Sequence, residues 1–478
     1  MLANKILIGD RLLERGSAGT MDHIYPATAE VNGTVHLGGE AEIAEAVARA
    51  KNAAATWEAL GPLGRRDRLG RLADIVEARR EDFRRLSAAE TGMPQQSFNS
   101  RHKFSVEWIR TYQGWADKVG GEINVSTEAG ELQYTRLEPY GVVGIILTWN
   151  SPLLSLAMKV PPALAAGNAV IVKPSEFTPY TSILFGECCL EAGIPPGVVN
   201  IVPGGREAGE ALVLHEDVEK ISFTGGITAA TSMMRSGAPL IKPFCFELGG
   251  KSAHLVFEDA DVQSAAKVAA AGLSNAGQSC TFGSRILVHE AVYDEFKDAL
   301  LRYISSVIPG DPEDERTTIG PLISAASQNR VLSMIQNASD RRDGRIVAGG
   351  GSPKLGGAFS AGFFVEPTLF EDVDPEAQIA KDEIFGPVFC LFRFSDEAKA
   401  VEVVNDTRFG LTNYVHTLNL KRALRVSAQL KSGTVYVNDV KRGNSAATFA
   451  GFRQSGIGYE GGRPGLDEYL RKKAIGLA

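Results

Sequence analysis

From Gly141 onward, short runs of aliphatic and β-branched residues alternate with stretches of helical length. The first round contains GVVGIIL, AVIVK, VVNIV and KISFT, and a second round after Glu247 contains AHLVF, SRILVHE and SGTVYVN. Such alternation is typical of βαβ units, in which a crossover helix joins two parallel strands. The sequence therefore predicts an α/β protein with two such domains in a chain of 478 residues.

The residues before this alternation show a different pattern. Ile43, Val47 and Ala50 recur at helical spacing, which predicts helices after a short extended start. The segment GGEINVSTEAGELQYTRLEPYG follows, and its glycines and alternating residues are typical of a β-hairpin. We expect a hairpin that projects from the body of the protein, and an ordinary surface hairpin is the alternative.

The charge balance excludes several classes of partner. Asp and Glu outnumber Lys and Arg by 57 to 50, and no block of basic residues is long enough to follow a phosphate backbone, so nucleic acid is not an expected partner. Asp10 and Arg11 interrupt the N-terminal apolar run, and Lys159 and two prolines interrupt the longest one. These interruptions argue against a signal peptide and a membrane span, so we expect a soluble, cytoplasmic protein.

The cysteines predict free thiols rather than disulfides or a metal centre. Their number, five, is odd, and no secretory signal precedes them. No CxxC pair occurs and the seven histidines do not cluster at ligand spacing, so no metal is expected.

Cys280 has unusual neighbours, because the stretch NAGQSCTFGS surrounds it with small residues. A thiol that fills a core normally lies among large apolar side chains. A reactive thiol and a buried structural thiol both remain open on these ten residues alone.

Two segments are candidates for binding an anion or a cofactor. In FTGGITAA, a strand runs into a glycine pair and a helical stretch, so the helix start would direct N–H groups at an anion, although a plain turn has the same pattern. In VKPSEFTP, Lys173 and Glu176 follow another predicted strand, and ligands bind at the carboxyl ends of parallel strands. A formal GxGxxG match at residues 456–461 leaves no room for a βαβ unit and predicts only a turn.

Glu247 and Asn150 are candidates for proton transfer and for oxyanion stabilisation. Glu247 lies between Phe246 and Leu248, and apolar surroundings raise the pKa of a carboxyl towards the range of a general base. A solvent-facing glutamate at a strand end is the alternative. The Asn150 amide either donates to a developing oxyanion or satisfies the turn before Pro152.

Nine motifs in this order together resemble the aldehyde dehydrogenase superfamily over nearly the whole chain. They are TWNSPLL, KVPPALAAGNAVIVKPSEFTP, IPPGVVNIVPG, ISFTGG, FELGGKS, GQSC, EIFGPV, SGTVYVN and SGIGYEGG. Each motif is ambiguous alone, whereas the joint match is specific. The resemblance implies NAD-dependent oxidation of an aldehyde to a carboxylic acid.

The resemblance also implies three catalytic roles. Cys280 matches the family's nucleophile, which forms a thiohemiacetal and then a thioester. Asn150 matches the oxyanion-stabilising residue, and Glu247 matches the base that activates the hydrolytic water.

For the cofactor, the resemblance implies nine contact residues: Trp149, Lys173, Ser175, Glu176, Gly225, Gly226, Leu248, Glu383 and Phe385. A carboxylate at Glu176 would accept a bond from a ribose hydroxyl and repel a 2′-phosphate, so NAD is favoured over NADP. Family members often carry Ser where this chain has Gly226 and Gly where it has Ala230, which affects pyrophosphate binding.

The substrate tunnel of the family maps onto eight residues: Phe104, Trp108, Ser151, Ser155, Met158, Ser279, Thr281 and Phe449. None of them is Lys, Arg or His. We therefore expect medium or bulky apolar aldehydes, aromatic or long-chain, rather than small charged ones.

The resemblance implies a Rossmann-type NAD-binding domain at residues 1–120 and 140–248 and an α/β catalytic domain at 249–452. A small β oligomerisation element comprises 121–139 and 453–478, which implies a homodimer or homotetramer. Two rival functions remain open: a CoA-acylating aldehyde dehydrogenase, against which Glu247 argues, and a catalytically silent cofactor-binding homologue, against which the intact catalytic residues argue.

Overall fold

The computed structural model describes residues 2–438 and 444–477. Its α-helices are α1 (Glu40–Ala59), α2 (Gly61–Ala78), α3 (Arg80–Thr91), α4 (Gln95–Trp115), α5 (Pro152–Ala165), α6 (Pro179–Glu191), α7 (Arg206–Leu214), α8 (Ile227–Gly237), α9 (Val262–Ala270), α10 (Tyr293–Ser305), α11 (Ala325–Arg341), α12 (Gln378–Lys381), α13 (Glu397–Asn405), α14 (Leu420–Gln429) and α15 (Gly462–Asp467). Its strands are β1 (Leu2–Ala3), β2 (Ile6–Ile8), β3 (Arg11–Leu13), β4 (Thr20–Tyr25), β5 (Glu30–His36), β6 (Glu122–Asn124), β7 (Leu132–Pro139), β8 (Val142–Ile146), β9 (Ala169–Lys173), β10 (Val199–Ile201), β11 (Lys220–Thr224), β12 (Phe244–Glu247), β13 (Ala253–Val256), β14 (Arg285–His289), β15 (Arg345–Ala348), β16 (Thr368–Glu371), β17 (Val388–Phe394), β18 (Thr412–His416), β19 (Thr434–Val437), β20 (Gly456–Ile457) and β21 (Leu470–Leu477).

The first large sheet has eight strands in the order β20-β12-β11-β8-β9-β10-β2-β3. Strands β12, β11, β8, β9 and β10 run parallel, while the edge strands β20, β2 and β3 pair antiparallel. The chain passes from β8 to β9 and β10 on one side, and β11 and β12 lie on the other side. The strand order therefore reverses at β8, which is the position where open α/β sheets bind ligands.

Helices cover both faces of this sheet, which explains the continuous apolar runs of its central strands. Residues of α1, α7 and α8 form one core with the sheet. Residues of α2, α4, α5 and α6 form the core on the opposite face.

The second large sheet has seven strands in the order β15-β16-β17-β14-β13-β18-β19. All pairs are parallel except the edge pair of β15 with β16. The predicted α/β class with two rounds of parallel strands is confirmed.

Two smaller sheets complete the fold. One consists of β1, β5 and β4, and the other of β21, β7 and β6. In the latter, β7 pairs antiparallel with β21 over its whole length, from Leu132 opposite Leu477 to Pro139 opposite Leu470. The segment 453–478, expected to belong to the oligomerisation element, contributes strands to two different sheets. Strand β20 joins the eight-stranded sheet, and β21 pairs with β7 of the hairpin.

Within the described residues, no helix combines the length and the hydropathy needed to cross a bilayer.

Candidate active site

The carboxyl ends of β8, β9 and β11 open onto a cavity of about 970 Å³. This is the edge at which the strand order reverses. Six of the predicted cofactor residues line the cavity: Trp149, Lys173, Ser175, Glu176, Gly225 and Gly226.

The start of α8 offers an anion site at the edge of this cavity. Gly226 caps the helix in an extended conformation, with φ −87° and ψ 152°. A Cβ on Gly226 would meet no atom within 4 Å, whereas one on Gly225 would lie 2.3 Å from the Phe223 ring. The first-turn N–H groups of a helix have no intrahelical partner, so this open space suits a phosphate.

Lys173 and Glu176 border the same cavity. Lys173 is buried at the end of β9, and its Nζ donates to the carbonyl of Pro174 at 2.9 Å. Burial lowers the pKa of Lys173, and the Glu176 carboxylate acts in the opposite direction. Glu176 itself is half-buried, so its oxygens can accept hydrogen bonds from a ligand.

The remaining three predicted cofactor residues lie outside the lining of this cavity. The Phe385 ring meets the Trp149 ring edge-on, with centroids 5.5 Å apart. Glu383 accepts a hydrogen bond from the Gly250 N–H at 3.0 Å, and burial raises its pKa. Leu248 is buried, and its N–H donates to the Ser455 carbonyl at 2.8 Å.

Cys280 lies in a loop between a 3-10 turn at 271–275 and β14. It is half-buried, whereas the other four cysteines are buried. Burial raises the pKa of the Cys280 thiol well above its usual value, and the charges of Glu247 and Glu383 raise it further. The thiol is therefore protonated at neutral pH, and a base must remove its proton before it can act as a nucleophile.

Amide side chains hold this loop against the start of α5. The Asn275 Nδ2 donates to the carbonyls of Asn150 and Gln278, both at 3.0 Å. The Asn150 Nδ2 also donates to the Gln278 carbonyl at 3.0 Å. An amide nitrogen carries two protons. The Asn150 amide thus contacts the loop at Gln278, two residues before Cys280, and its second proton is available for an oxyanion.

Glu247 is the last residue of β12 and is 4% exposed. Its Oε1 has no hydrogen-bond partner within the described residues. Burial raises the pKa of Glu247 well above its usual value, the charge of Glu460 adds to this, and Lys159 opposes it. A buried carboxyl with an unpaired oxygen is suited to accept a proton from a thiol or a water.

Lys159 and Glu460 form a buried ion pair near Glu247. The Lys159 Nζ, on α5, contacts the Glu460 Oε1 and donates to the Ser222 Oγ at 2.9 Å. The sequence does not predict this ion pair. Glu460 lies within the formal GxGxxG match, and Lys159 interrupts an apolar run. A charged residue inside the apolar helix α5 was the available signal.

The predicted substrate residues come from α4, α5, the Cys280 loop and the segment around Phe449. The rings of Phe104 and Trp108 meet edge-on at 5.8 Å on α4. The Ser279 and Thr281 hydroxyls lie 3.1 Å apart, and Phe449 pairs with Glu460 through the backbone. Trp108 and Ser155 are buried. The other six are half-buried: Phe104, Ser151, Met158, Ser279, Thr281 and Phe449.

Comparison with known proteins gives consistent results. A sequence model described as the aldehyde dehydrogenase family matches residues 13–475. A protein named mitochondrial aldehyde dehydrogenase from Leishmania tarentolae is 39% identical, and the match covers 100% of this chain and 95% of that protein. An aldehyde dehydrogenase from Enchytraeus buchholzi is 38% identical, with 98% and 95% covered.

Solved structures show the same similarity. The crystal structure of PnpE from Pseudomonas sp. WBC-3 has a TM-score of 0.96 at 36% identity, and a PnpE complex with nicotinamide adenine dinucleotide has a TM-score of 0.97; each covers 100% of this chain and 98% of PnpE. Betaine aldehyde dehydrogenase from Staphylococcus aureus, in complex with NAD⁺, has a TM-score of 0.96 at 34% identity, with 100% and 98% covered. Matches of this length and identity establish the relationship along the whole chain. The protein is an enzyme that belongs to the aldehyde dehydrogenase family.

Proposed function

We propose that this enzyme oxidises an aldehyde to the carboxylic acid with NAD, through covalent intermediates on Cys280. One observation carries the proposal: of the five cysteines, Cys280 alone is partly exposed, and the Asn150 amide contacts its loop. The Glu247 carboxyl acts on the thiol electrostatically, and its Oε1 has no hydrogen-bond partner in the part of the chain that the structure describes. A nucleophile, a base and an oxyanion donor thus lie together.

These residues act in successive steps of the reaction. Glu247 takes the proton of the Cys280 thiol, and the thiolate attacks the aldehyde carbon to form a thiohemiacetal. The Asn150 amide and the Cys280 N–H donate to its oxyanion. Loss of a hydride to the electron acceptor converts the thiohemiacetal into a thioester on Cys280, and Glu247 passes the thiol proton to solvent. The deprotonated Glu247 then takes a proton from the water that attacks the thioester, and the acid leaves as the Cys280 thiolate re-forms.

NAD fits the cavity beside α8, and when bound it supplies the electron acceptor. Gly226 and the N–H groups of α8 would hold the pyrophosphate, and Glu176 with Lys173 the adenosine ribose. A carboxylate at Glu176 disfavours NADP, because it would repel a 2′-phosphate. The related PnpE has been solved with this dinucleotide, which supports the choice.

We propose medium or bulky apolar aldehydes as substrates. The eight tunnel residues include aromatic rings and hydroxyls but no cation that would hold a carboxylate. We expect each added buried methylene to contribute about 0.8 kcal/mol of binding. The specificity constant should therefore rise from acetaldehyde to hexanal and benzaldehyde and be low for succinic semialdehyde. A specificity constant that is highest for acetaldehyde or for succinic semialdehyde would contradict the proposed apolar tunnel.

Replacing the nucleophile tests the mechanism. Cys280→Ser should abolish NADH formation while NAD binding persists, because a hydroxyl ionises far less readily than a thiol. Cys188→Ser, at a buried cysteine remote from the loop in sequence, is the matched control and should keep its activity. Turnover near the wild-type rate in Cys280→Ser would refute the assignment.

The acyl acceptor, water or CoA, distinguishes the proposed hydrolysis from the CoA-acylating alternative. With water alone as acceptor, we expect full steady turnover and no acceleration by CoA, since Glu247 supplies a base for hydrolysis. Turnover that requires CoA would favour the alternative.

The homo-oligomer and the cytoplasmic location also remain predictions; the Leishmania tarentolae relative is named as mitochondrial.

A further inference from the structure

A stack of four aromatic rings lies beside the Cys280 loop. Tyr414 is the register partner of both His254 and Tyr436, so the strands β13, β18 and β19 place these rings side by side. The His254 ring stacks on the Tyr414 ring at 4.4 Å and on the His416 ring at 5.3 Å, and Tyr414 stacks on Tyr436 at 5.7 Å. Both histidines and Tyr414 are buried.

Two members of this stack contact the backbone of the catalytic loop. The Tyr414 hydroxyl donates to the Thr281 carbonyl at 2.7 Å. A Cβ on Gly283 would lie 2.3 Å from the His254 Nε2 and 3.2 Å from the Tyr414 ring. The Gly283 backbone therefore lies directly on both rings.

A third contact restrains the loop at the nucleophile itself. A Cβ on Gly250 would lie 2.4 Å from the Cys280 carbonyl oxygen, so that carbonyl packs on the Gly250 backbone. The carbonyls of Cys280 and Thr281 are thus each held, and with them the two peptide planes that follow the thiol.

We propose that Tyr414 is a positioning residue for Cys280, through its hydrogen bond to the Thr281 carbonyl. The inference rests on the proposed function, in which Cys280 is the nucleophile. A phenylalanine would keep the buried ring of Tyr414 and remove the hydrogen bond to the Thr281 carbonyl. Holding the Thr281 peptide keeps the thiol and the Cys280 N–H in one orientation towards the substrate carbonyl, and loss of such orientation costs rate.

The test is Tyr414→Phe, with Tyr293→Phe as the matched control. Tyr293 is also a buried tyrosine of the second sheet's domain, at the start of α10 and against the Arg393 guanidinium. We expect kcat of Tyr414→Phe to fall about threefold to tenfold, in line with one lost hydrogen bond, while KM for NAD stays unchanged. In the same variant, the loosened thiol should react at least about threefold faster with iodoacetamide, since it samples more exposed positions.

A fall in kcat together with a rise in alkylation is not expected of a merely structural residue. The proposal is overturned if kcat matches that of Tyr293→Phe, or if the alkylation rate of Cys280 does not rise. Should Tyr414→Phe fail to fold, Gly283→Ala is the second variant: its methyl group would press on the His254 and Tyr414 rings and displace the loop from them, which should give the same pair of changes. Alkylation needs neither NAD nor aldehyde. A wild-type protein that oxidises no aldehyde would therefore refute the proposed function while leaving the alkylation comparison intact.

Discussion

Glu247 is a buried carboxyl that interacts with two other buried charged groups, Glu460 and Lys159. Burial and the Glu460 charge raise its pKa, so Glu247 keeps its proton to higher pH than an exposed glutamate does. A base works only in its deprotonated form. The rate of the step that Glu247 catalyses should therefore increase as the pH rises, and level off above the raised pKa.

Glu460→Gln tests this electrostatic coupling. The substitution removes a negative charge that raises the Glu247 pKa and leaves the Lys159 charge that lowers it, so the rising limb of the kcat profile should move to lower pH. The variant should also be less stable by about 3–5 kcal/mol, because the buried Lys159 loses its ion partner. The measurement is kcat against pH, with Glu468→Gln at the Lys220 ion pair as control. If the rising limb of the kcat profile stays in place or moves to higher pH, Glu460 does not raise the pKa of Glu247 as described.

Gly226→Ser tests the anion site. The position is open and its φ suits any residue, and a serine hydroxyl adds a donor beside the proposed pyrophosphate site. We expect NAD to bind about threefold to tenfold more tightly, as measured by calorimetry. Gly120→Ser, also at an open position, is the control and should leave binding unchanged. NAD binding in Gly226→Ser that equals that of the wild type and of Gly120→Ser would show that the anion does not lie there.

The sequence predicts those candidate site residues that lie in short motifs. Cys280, Asn150 and Glu247 lie in such motifs, and the structure places them around one loop. The ion pair of Lys159 with Glu460 was not predictable, because it joins residues 301 positions apart and no local pattern contains both. The contact of Tyr414 with Thr281 was not predictable for the same reason, since it depends on the order of strands in the sheet.

Among the structural elements, the small sheet of β6, β7 and β21 exposes apolar side chains. Ile123 is 82% exposed and Val125 is 91% exposed. Exposed apolar side chains that cluster on a surface mark interaction sites. This supports the predicted role of the hairpin in assembly, with a second copy of the chain as partner.

The double variant Ile123→Asp/Val125→Asp tests that role. Charges on an apolar interface are costly to bury, so we expect an oligomer in the wild type and a monomer in the variant, measured by light scattering. Leu63→Asp, at a residue of α2 that is 58% exposed, is the control and should keep the wild-type mass. An unchanged mass in the double variant would place the interface elsewhere.

Elements were predictable where a repeating pattern was strong. The β-rich runs predicted β8 to β11 of the first sheet and β13, β14 and β19 of the second, because buried parallel strands need continuous apolar residues. They did not include the parallel strands β12, β16, β17 and β18. The C-terminal segment was less predictable. Its two strands join different sheets, since Gly456–Ile457 pairs with β12 and Leu470–Leu477 with β7, and nothing local distinguishes these partners.

In the whole molecule, hydrogen bonds of one serine connect segments next to the two large sheets. Ser455 links the two parts: its Oγ donates to the Gly249 carbonyl at 2.7 Å and accepts from the Gly410 N–H at 2.9 Å. Leu248 and Gly249 lead directly from Glu247 on β12 towards β13. This short connection therefore joins Glu247, the proposed base, to the domain that carries Cys280, the proposed nucleophile.

The most direct test of this account is a rapid-quench experiment on Glu247→Gln with NAD and hexanal, analysed by absorbance and by mass spectrometry. The substitution keeps the shape of the side chain and removes the base for both proton transfers. Formation of the thioester should slow, because the Cys280 thiol must then lose its proton to solvent, but hydrolysis of the thioester should slow more. About one NADH per active subunit should therefore form first, and the later rate should be about 100-fold below that of the wild type. The peptide that contains Cys280 should carry the acyl mass after this first phase. Steady turnover at the wild-type rate, or an acyl group on any residue other than Cys280, would contradict the account.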